Sequence, residues 1–282
     1  LDKDTIANFI IEFDKYALYR QKKGISNIPT FVGVGAGRCG TTSLYNYFNE
    51  HPAIYMSPVK EINYFGFRDK ETNRYGMTFN EYVTYFLGAK EEKVIGEISP
   101  AYLSLPSAVA NMEKYIPELK VIITLRDPIS RIVSQYKHHL DKHQIKNIND
   151  YLKKGLNAYE EKAESEYRLN WFHPVKNITQ SLYYEGIKRI FYHYPKENVA
   201  IVKFDDIKKD STAVLKSLCL FLGVDYQDRK LKKSNTSVNL DGVETNIDDY
   251  VMSKLLDIYT RDLNHTEILC GIELENWLMK YR

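Results

Sequence analysis

Two clusters of arginine and hydroxyl residues stand out in this 282-residue chain, and each follows an apolar run. The first is Phe31-Val-Gly-Val-Gly-Ala-Gly-Arg-Cys-Gly-Thr-Thr-Ser-Leu44, where Gly33, Gly35, Gly37 and Gly40 surround Arg38 and Cys39. Thr41, Thr42 and Ser43 supply hydroxyls where a helix should begin. A strand, a glycine-rich turn and a helix N-terminus in that order converge backbone N–H groups at the positive end of a helix dipole, which makes an anion site. The spacing Gly35-x-x-x-x-Gly40 copies the glycine frame of a nucleoside-triphosphate loop, but Thr41 stands where that motif needs Lys. The cation is Arg38, inside the turn. Such a loop suits phosphate without suiting a magnesium-bound triphosphate.

The second cluster begins at Val121-Ile-Ile-Thr-Leu125, the clearest buried strand in the chain, which ends on Arg126-Asp127-Pro128. Ser134 lies eight residues beyond Arg126, just over two turns along the helix expected from 129 to about 143, so its hydroxyl can join Arg126 on a second phosphate. Two adjacent anion sites indicate a doubly phosphorylated nucleotide. An NTPase would end this strand on a metal-binding Asp, whereas here an Arg comes first. No metal is expected, because the three cysteines at 39, 219 and 270 form neither a CxxC pair nor a disulfide framework. For Cys39 the expectation is a small side chain filling the turn.

Alternating strands and helices must carry these clusters. Strands are expected at 30–36, 94–99, 121–125 and 199–204, with a short apolar piece at 54–56. Helices are expected at 41–50, 79–87, 107–116, 180–193 and 211–222, with further helices to the C-terminus. Residues 147–177 are charged and weakly periodic, which reads as a helical cap and a mobile loop. Lys230 to Gly242 reads as a polar loop, and residues 4–23 as an added N-terminal helix. The pattern gives an α/β fold, a P-loop-like parallel β-sheet flanked by helices in a single domain, with ligands beyond the strand C-termini.

With 44% apolar and 27% charged residues and a net charge of +2, the chain is an ordinary globule with no global pull toward nucleic acid or membrane. No apolar run reaches membrane-spanning length. Asn177-Ile-Thr, Asn235-Thr-Ser and Asn264-His-Thr match the glycosylation pattern, but three such matches are close to chance and decide nothing about compartment.

The motifs together resemble the sulfotransferases that use 3′-phosphoadenosine 5′-phosphosulfate (PAPS). The likeness is carried by Gly35-Ala-Gly-Arg-Cys-Gly-Thr-Thr-Ser43, His51-Pro52, Lys60-Glu61-Ile-Asn-Tyr-Phe65, Ser99-Pro-Ala-Tyr102 and Leu125-Arg-Asp-Pro-Ile-Ser-Arg-Ile-Val-Ser134. It continues through Val202-Lys-Phe-Asp-Asp206, Phe221-Leu-Gly-Val224 and Cys270-Gly-Ile-Glu-Leu-Glu-Asn-Trp277. It is nearest to the branch of carbohydrate and bacterial enzymes. The resemblance implies a sulfotransferase domain over 30–282 after a helical extension over 1–29.

It further implies that PAPS is bound by Gly37, Arg38, Cys39, Gly40, Thr41, Thr42 and Ser43 at its 5′ end and by Arg126 and Ser134 at its 3′-phosphate. 3′-Phosphoadenosine 5′-phosphate would be the product. Lys232 and Lys233 fall where the family can close a loop over the nucleotide. The implied catalytic residues are Glu61 as general base and Arg38 on the leaving group, with Lys60 beside the acceptor and His138 as a second candidate base. Two positions depart from the pattern: Arg38 replaces the usual Lys, and Ile98 stands where carbohydrate enzymes often carry Lys. The second weakens an assignment to a strongly anionic polysaccharide such as heparan. The implied reaction is sulfuryl transfer to a hydroxyl, or secondarily an amine, of a carbohydrate or small metabolite in the cytoplasm. A luminal domain of an anchored protein, an ATP/Mg phosphotransferase and an inactive nucleotide-binding protein stay open as alternatives.

Overall fold

The computed structural model of the chain describes residues 28–66, 77–92, 94–140, 145–162, 172–228 and 245–282. Five parallel strands form one sheet: β1 (Phe31–Gly35), β2 (Ile54–Met56), β3 (Val94–Ile98), β4 (Lys120–Leu125) and β5 (Val199–Lys203), in the order β2-β3-β1-β4-β5. The chain builds outward from β1 to one side through β3 and to the other through β4. The C-terminal end of β1 is therefore the point where the topology switches, and parallel sheets open a crevice there. β1 is buried on both faces, as a central parallel strand requires.

The strands bury alternate residues on opposite faces. Val121, Ile123 and Leu125 enter the larger core, while Ile122 enters a second core with Leu44, Phe48, Val202 and Leu218. Around the sheet lie α1 (Thr41–Asn49), α2 (Phe79–Thr84), α3 (Pro106–Tyr115), α4 (Pro128–His138), α5 (Ile148–Glu160) and α6 (Pro174–Thr179). They are followed by α7 (Tyr184–His193), α8 (Phe204–Lys209), α9 (Ser211–Leu222), α10 (Asp249–Cys270) and α11 (Asn276–Met279). All expected strands and helices within the described residues are present. The helix that follows Arg126 ends at His138, earlier than its apolar pattern indicates.

The helix expected within 147–177 is present but packs into the core, and residues 163–171, read as part of a mobile loop, lie outside the described residues. α5 buries Ile148, Tyr151, Leu152 and Leu156 in the main core, a stripe at i, i+3, i+4 and i+8. The lysines and carboxylates on its outer face dilute that stripe in the sequence. Asn177, in α6, is only 2% exposed, so it is not available as a glycan acceptor in the folded chain. The expected N-terminal helix at 4–23 and the lysine loop, with Lys232 and Lys233, lie outside the described residues.

Candidate functional site

The glycine turn leaves β1 under tight steric control. Gly35 adopts φ 121°, and a Cβ there would stand 2.2 Å from the Pro100 carbonyl oxygen, so only glycine fits. Thr124 in β4 fixes the turn from the other side: its carbonyl accepts from Ala36 N–H at 2.7 Å and its hydroxyl donates to the Gly35 carbonyl at 3.2 Å. Gly40 caps α1 in the left-handed conformation with no side-chain cap, and the first turn of α1 carries no carboxylate. The first-turn N–H groups of Thr41, Thr42 and Ser43 therefore keep their dipole uncompensated. Gly37 faces open space, a Cβ there meeting only Pro100 Cβ at 3.9 Å.

Cys39 is buried, and burial pushes its thiol up to about 11, so it fills the turn and is no nucleophile. The Thr41 side chain is likewise buried, which leaves Thr42 and Ser43 as the more open hydroxyls of the turn.

Arg38 takes φ 66°, a conformation that non-glycine residues rarely adopt, and its Nε donates to Ser134 Oγ in α4 at 3.2 Å. The two sequence clusters thus meet through one hydrogen bond. Arg126 Nη1 donates to the Arg38 carbonyl at 3.1 Å, and its guanidinium lies 4.8 Å from the Phe204 ring centroid. Tyr183 Oη donates to the Arg126 carbonyl at 2.7 Å, and Asp262 in α10 accepts from the N–H groups of Tyr183 and Tyr184 at 2.7 and 3.1 Å. Burial raises the Asp262 carboxyl to about 6 against the pull of those two amides.

Arg126 does not pair with the adjacent Asp127. Asp127 Oδ1 caps α4 on Ile129 and Ser130 N–H, and its Oδ2 takes Lys280 and Tyr281 at 2.7 Å each.

A third arginine stands behind the first two. Arg131 is fully buried on α4, and its guanidinium donates only to neutral groups: Asn177 Oδ1 at 2.9 Å, Ser181 Oγ at 3.1 Å and Gln180 Oε1 at 3.1 Å. Among the described residues no carboxylate pairs with Arg38, Arg126 or Arg131. Burial first, and then the Arg126 and Arg131 cations, push the Arg38 guanidinium below its ordinary range. The site has a surplus of positive charge that an anion would relieve. A cleft of about 650 Å³ opens beside it, lined by Arg126, Ser130, Ser134 and Lys137 on α4 and by Met252 and Tyr281 opposite. A groove of about 710 Å³ along α10 contains none of the turn residues.

The Lys60-Glu61 pair sits beyond the end of β3. The two side chains form an ion pair with each other, and the Glu61 charge acts on Arg38. His138 is exposed at the end of α4, one turn past Ser134, with its ring 5.0 Å from that of His139. His51 is buried, and its Nε2 lies 2.9 Å from the backbone carbonyl oxygen of Asp225. The sequence reading missed Arg131, Glu97, Phe204 and Tyr183 as parts of the site. For the first two a signal existed: Arg131 falls on the apolar stripe of α4 and Glu97 inside the apolar strand Val94-Ile-Gly-Glu-Ile98.

The model of the sulfotransferase domain matches residues 30–246, most of the chain and both arginine clusters. The chain belongs to the sulfotransferase family. This sulfotransferase is 23% identical to the membrane-associated sulfotransferase kil1 of Dictyostelium discoideum, over 83% of its own length and 66% of that protein. It is 24% identical to human heparan sulfate glucosamine 3-O-sulfotransferase 5, over 71% of its own length and 55% of the relative. The chain thus spans no more than about two thirds of the curated relatives it matches. A solved sulfotransferase from Alicyclobacillus acidocaldarius superposes with a TM-score of 0.72 at 27% identity, covering 89% of this chain and 98% of that one. The family is one of sulfuryl-group transferases, and the ATP/Mg reading is not favoured. Among the described residues no helix is long and apolar enough to cross a membrane.

Proposed function

We propose that this sulfotransferase takes its sulfuryl group from PAPS and delivers it to a hydroxyl, or secondarily an amine, of a carbohydrate or small metabolite. The observation that carries the proposal is the convergence of Arg38, Arg126 and Arg131 without a paired carboxylate, beside a helix N-terminus and an open Gly37. This donor set fits a nucleotide with two separated anionic ends. When bound, PAPS would supply an activated sulfuryl group whose departure leaves negative charge on the bridging phosphate oxygen.

Arg38 and the N–H groups from Gly37 to Ser43 stabilise that charge, with the Thr42 hydroxyl beside them. Arg126 and Ser134 hold the 3′-phosphate, and Lys232 and Lys233 are further nucleotide-binding residues of this reading. Glu61 takes the acceptor proton, with Lys60 paired to it. His138 is the alternative base. The absence of a lysine at Ile98 disfavours a densely anionic acceptor. The same proposal puts the enzyme in the cytoplasm, and recovery in a luminal fraction would overturn that part.

The test is thermal stability with 3′-phosphoadenosine 5′-phosphate in the absence of divalent metal. A rise in melting temperature well above that given by ATP with magnesium is expected, because the arginines already supply the charge. Equal or greater stabilisation by ATP with magnesium would remove the proposal. Labelled PAPS offered with a panel of sugars, phenols and metabolite alcohols then identifies the acceptor class.

A further inference from the structure

Glu97 lies fully buried in β3, and no step described above uses it. Its Oε1 accepts from the hydroxyls of Tyr82 at 2.8 Å and Tyr102 at 3.1 Å, and its Oε2 accepts from the hydroxyl of Ser99 at 2.7 Å. Two of these hydroxyls are thereby fixed in direction. Because Ser99 and Tyr102 give their protons to Glu97, their lone pairs accept from backbone amides: Asn63 N–H to Ser99 at 3.0 Å and Phe65 N–H to Tyr102 at 3.3 Å.

Those amides belong to the segment that carries Glu61. The segment is neither helix nor strand, and Glu61 and Asn63 sit at φ 62° and 56°, in the left-handed region that Asn tolerates and Glu rarely adopts. It holds only because its surroundings over-determine it. Besides the two amides, Glu61 N–H donates to the Ile98 carbonyl at 3.1 Å, and Asn63 Nδ2 donates to the Glu61 carbonyl at 2.9 Å.

We propose that Glu97 is a positioning residue for the acceptor side of the site. A buried carboxylate sets the direction of two hydroxyls, the hydroxyls hold the Asn63 and Phe65 amides, and these anchor the segment just before them, which aims Glu61 toward the turn of Arg38. Glu97 touches neither donor nor acceptor and acts through Glu61. The inference therefore rests on Glu61 being the base.

Glu97→Gln keeps the shape but replaces one acceptor oxygen by a donor, so one hydroxyl must turn. Turnover should fall roughly tenfold to thirtyfold while the KM for PAPS and the affinity for 3′-phosphoadenosine 5′-phosphate stay within about twofold. Amide exchange over residues 61–66 should accelerate in the same variant. In a Glu61→Gln background the same change should cost less than about threefold, since its target is already lost.

Turnover of Glu97→Gln within about twofold of wild type, with Glu61→Gln inactive, overturns the positioning role and leaves the base standing. A full additional loss in the double variant also overturns it. Undiminished turnover in Glu61→Gln removes the base and this inference with it. Should Glu97→Gln fail to fold, Ser99→Ala severs the Asn63 arm alone. A loss of turnover of about threefold to fivefold at constant PAPS KM is then expected, on the order of half the Glu97→Gln effect in free energy, and unchanged turnover refutes the role.

Discussion

At the C-terminal ends of the neighbouring strands β1 and β3 the chain builds two segments of opposite character. The turn after β1 gathers three arginines and no paired carboxylate. The segment that docks on the end of β3 carries Glu61 and rests on the buried Glu97. The turn itself is contiguous in sequence, but two of its three cations, Arg126 and Arg131, reach it only through folding. The β3 side takes its geometry from hydroxyls of Tyr82, Ser99 and Tyr102, which stand close to Glu97 in the chain and reach over to hold the segment after Glu61. The first presents arginines that pair with no carboxylate among the described residues, whereas the second holds one carboxylate in a fixed backbone frame. The two regions should therefore fail differently when altered: the turn in binding, the β3 side in rate.

The largest expected effect is on the β3 side. Glu61→Gln should lower transfer by roughly two to three orders of magnitude with nucleotide affinity nearly constant, measured by initial rates and calorimetric titration. His138→Ala is the companion variant. If it abolishes transfer while Glu61→Gln does not, the base lies on α4 and the comparison loses its second term.

Next in size is Arg126→Ala, which should weaken 3′-phosphoadenosine 5′-phosphate by about a hundredfold, or about 3 kcal/mol, while leaving the maximal rate at saturating donor largely intact. Unchanged affinity by calorimetry would place the 3′-phosphate away from β4.

A smaller effect concerns the support behind Arg126. The Asp262 carboxyl is raised to about 6 in the folded chain, so the folded state binds its proton more tightly than the unfolded state. Its contribution is full below about pH 4 and is lost as pH rises through 6. Asp262→Asn cannot ionise and should gain stability relative to wild type across that window, on the order of 2 kcal/mol by pH 7. Melting curves of both proteins from pH 4 to 7 that run parallel would show that Asp262 is not buried as described.

The smallest expected change is Ser134→Ala. It removes one hydroxyl partner of Arg38 and should cost nucleotide binding about 1 kcal/mol, a factor of three to ten. A loss as large as that of Arg126→Ala would make Ser134 the principal phosphate ligand.

The same contrast explains what the sequence discloses. The turn, Arg38, Arg126 and Ser134 are legible because a glycine frame and a strand-ending arginine have few other uses, and the Arg38–Ser134 bond joins the two clusters. The sheet order follows from strand–helix alternation. Glu97 is not legible as a pivot, because a single carboxylate in an apolar strand does not reveal the three hydroxyls that surround it. Arg131 reads as one more helix charge until the fold places it among Asn177, Gln180 and Ser181, some 50 residues away. α5 was misread because an amphipathic stripe under a charged face looks weakly periodic when its partner surface is unknown.

Asp127 also bears on how this protein folds. It caps α4 beside Arg126, and its second oxygen is held by Lys280 and Tyr281, the latter 154 positions later in the chain. Closing so long a loop carries a large entropic cost that local helix contacts do not share, so this junction belongs to the late events of folding. The central strands can assemble from nearer partners first. The turn that follows β4 reaches its final hydrogen-bonded form only when the residues after α11 have docked, which couples completion of the nucleotide site to completion of the fold.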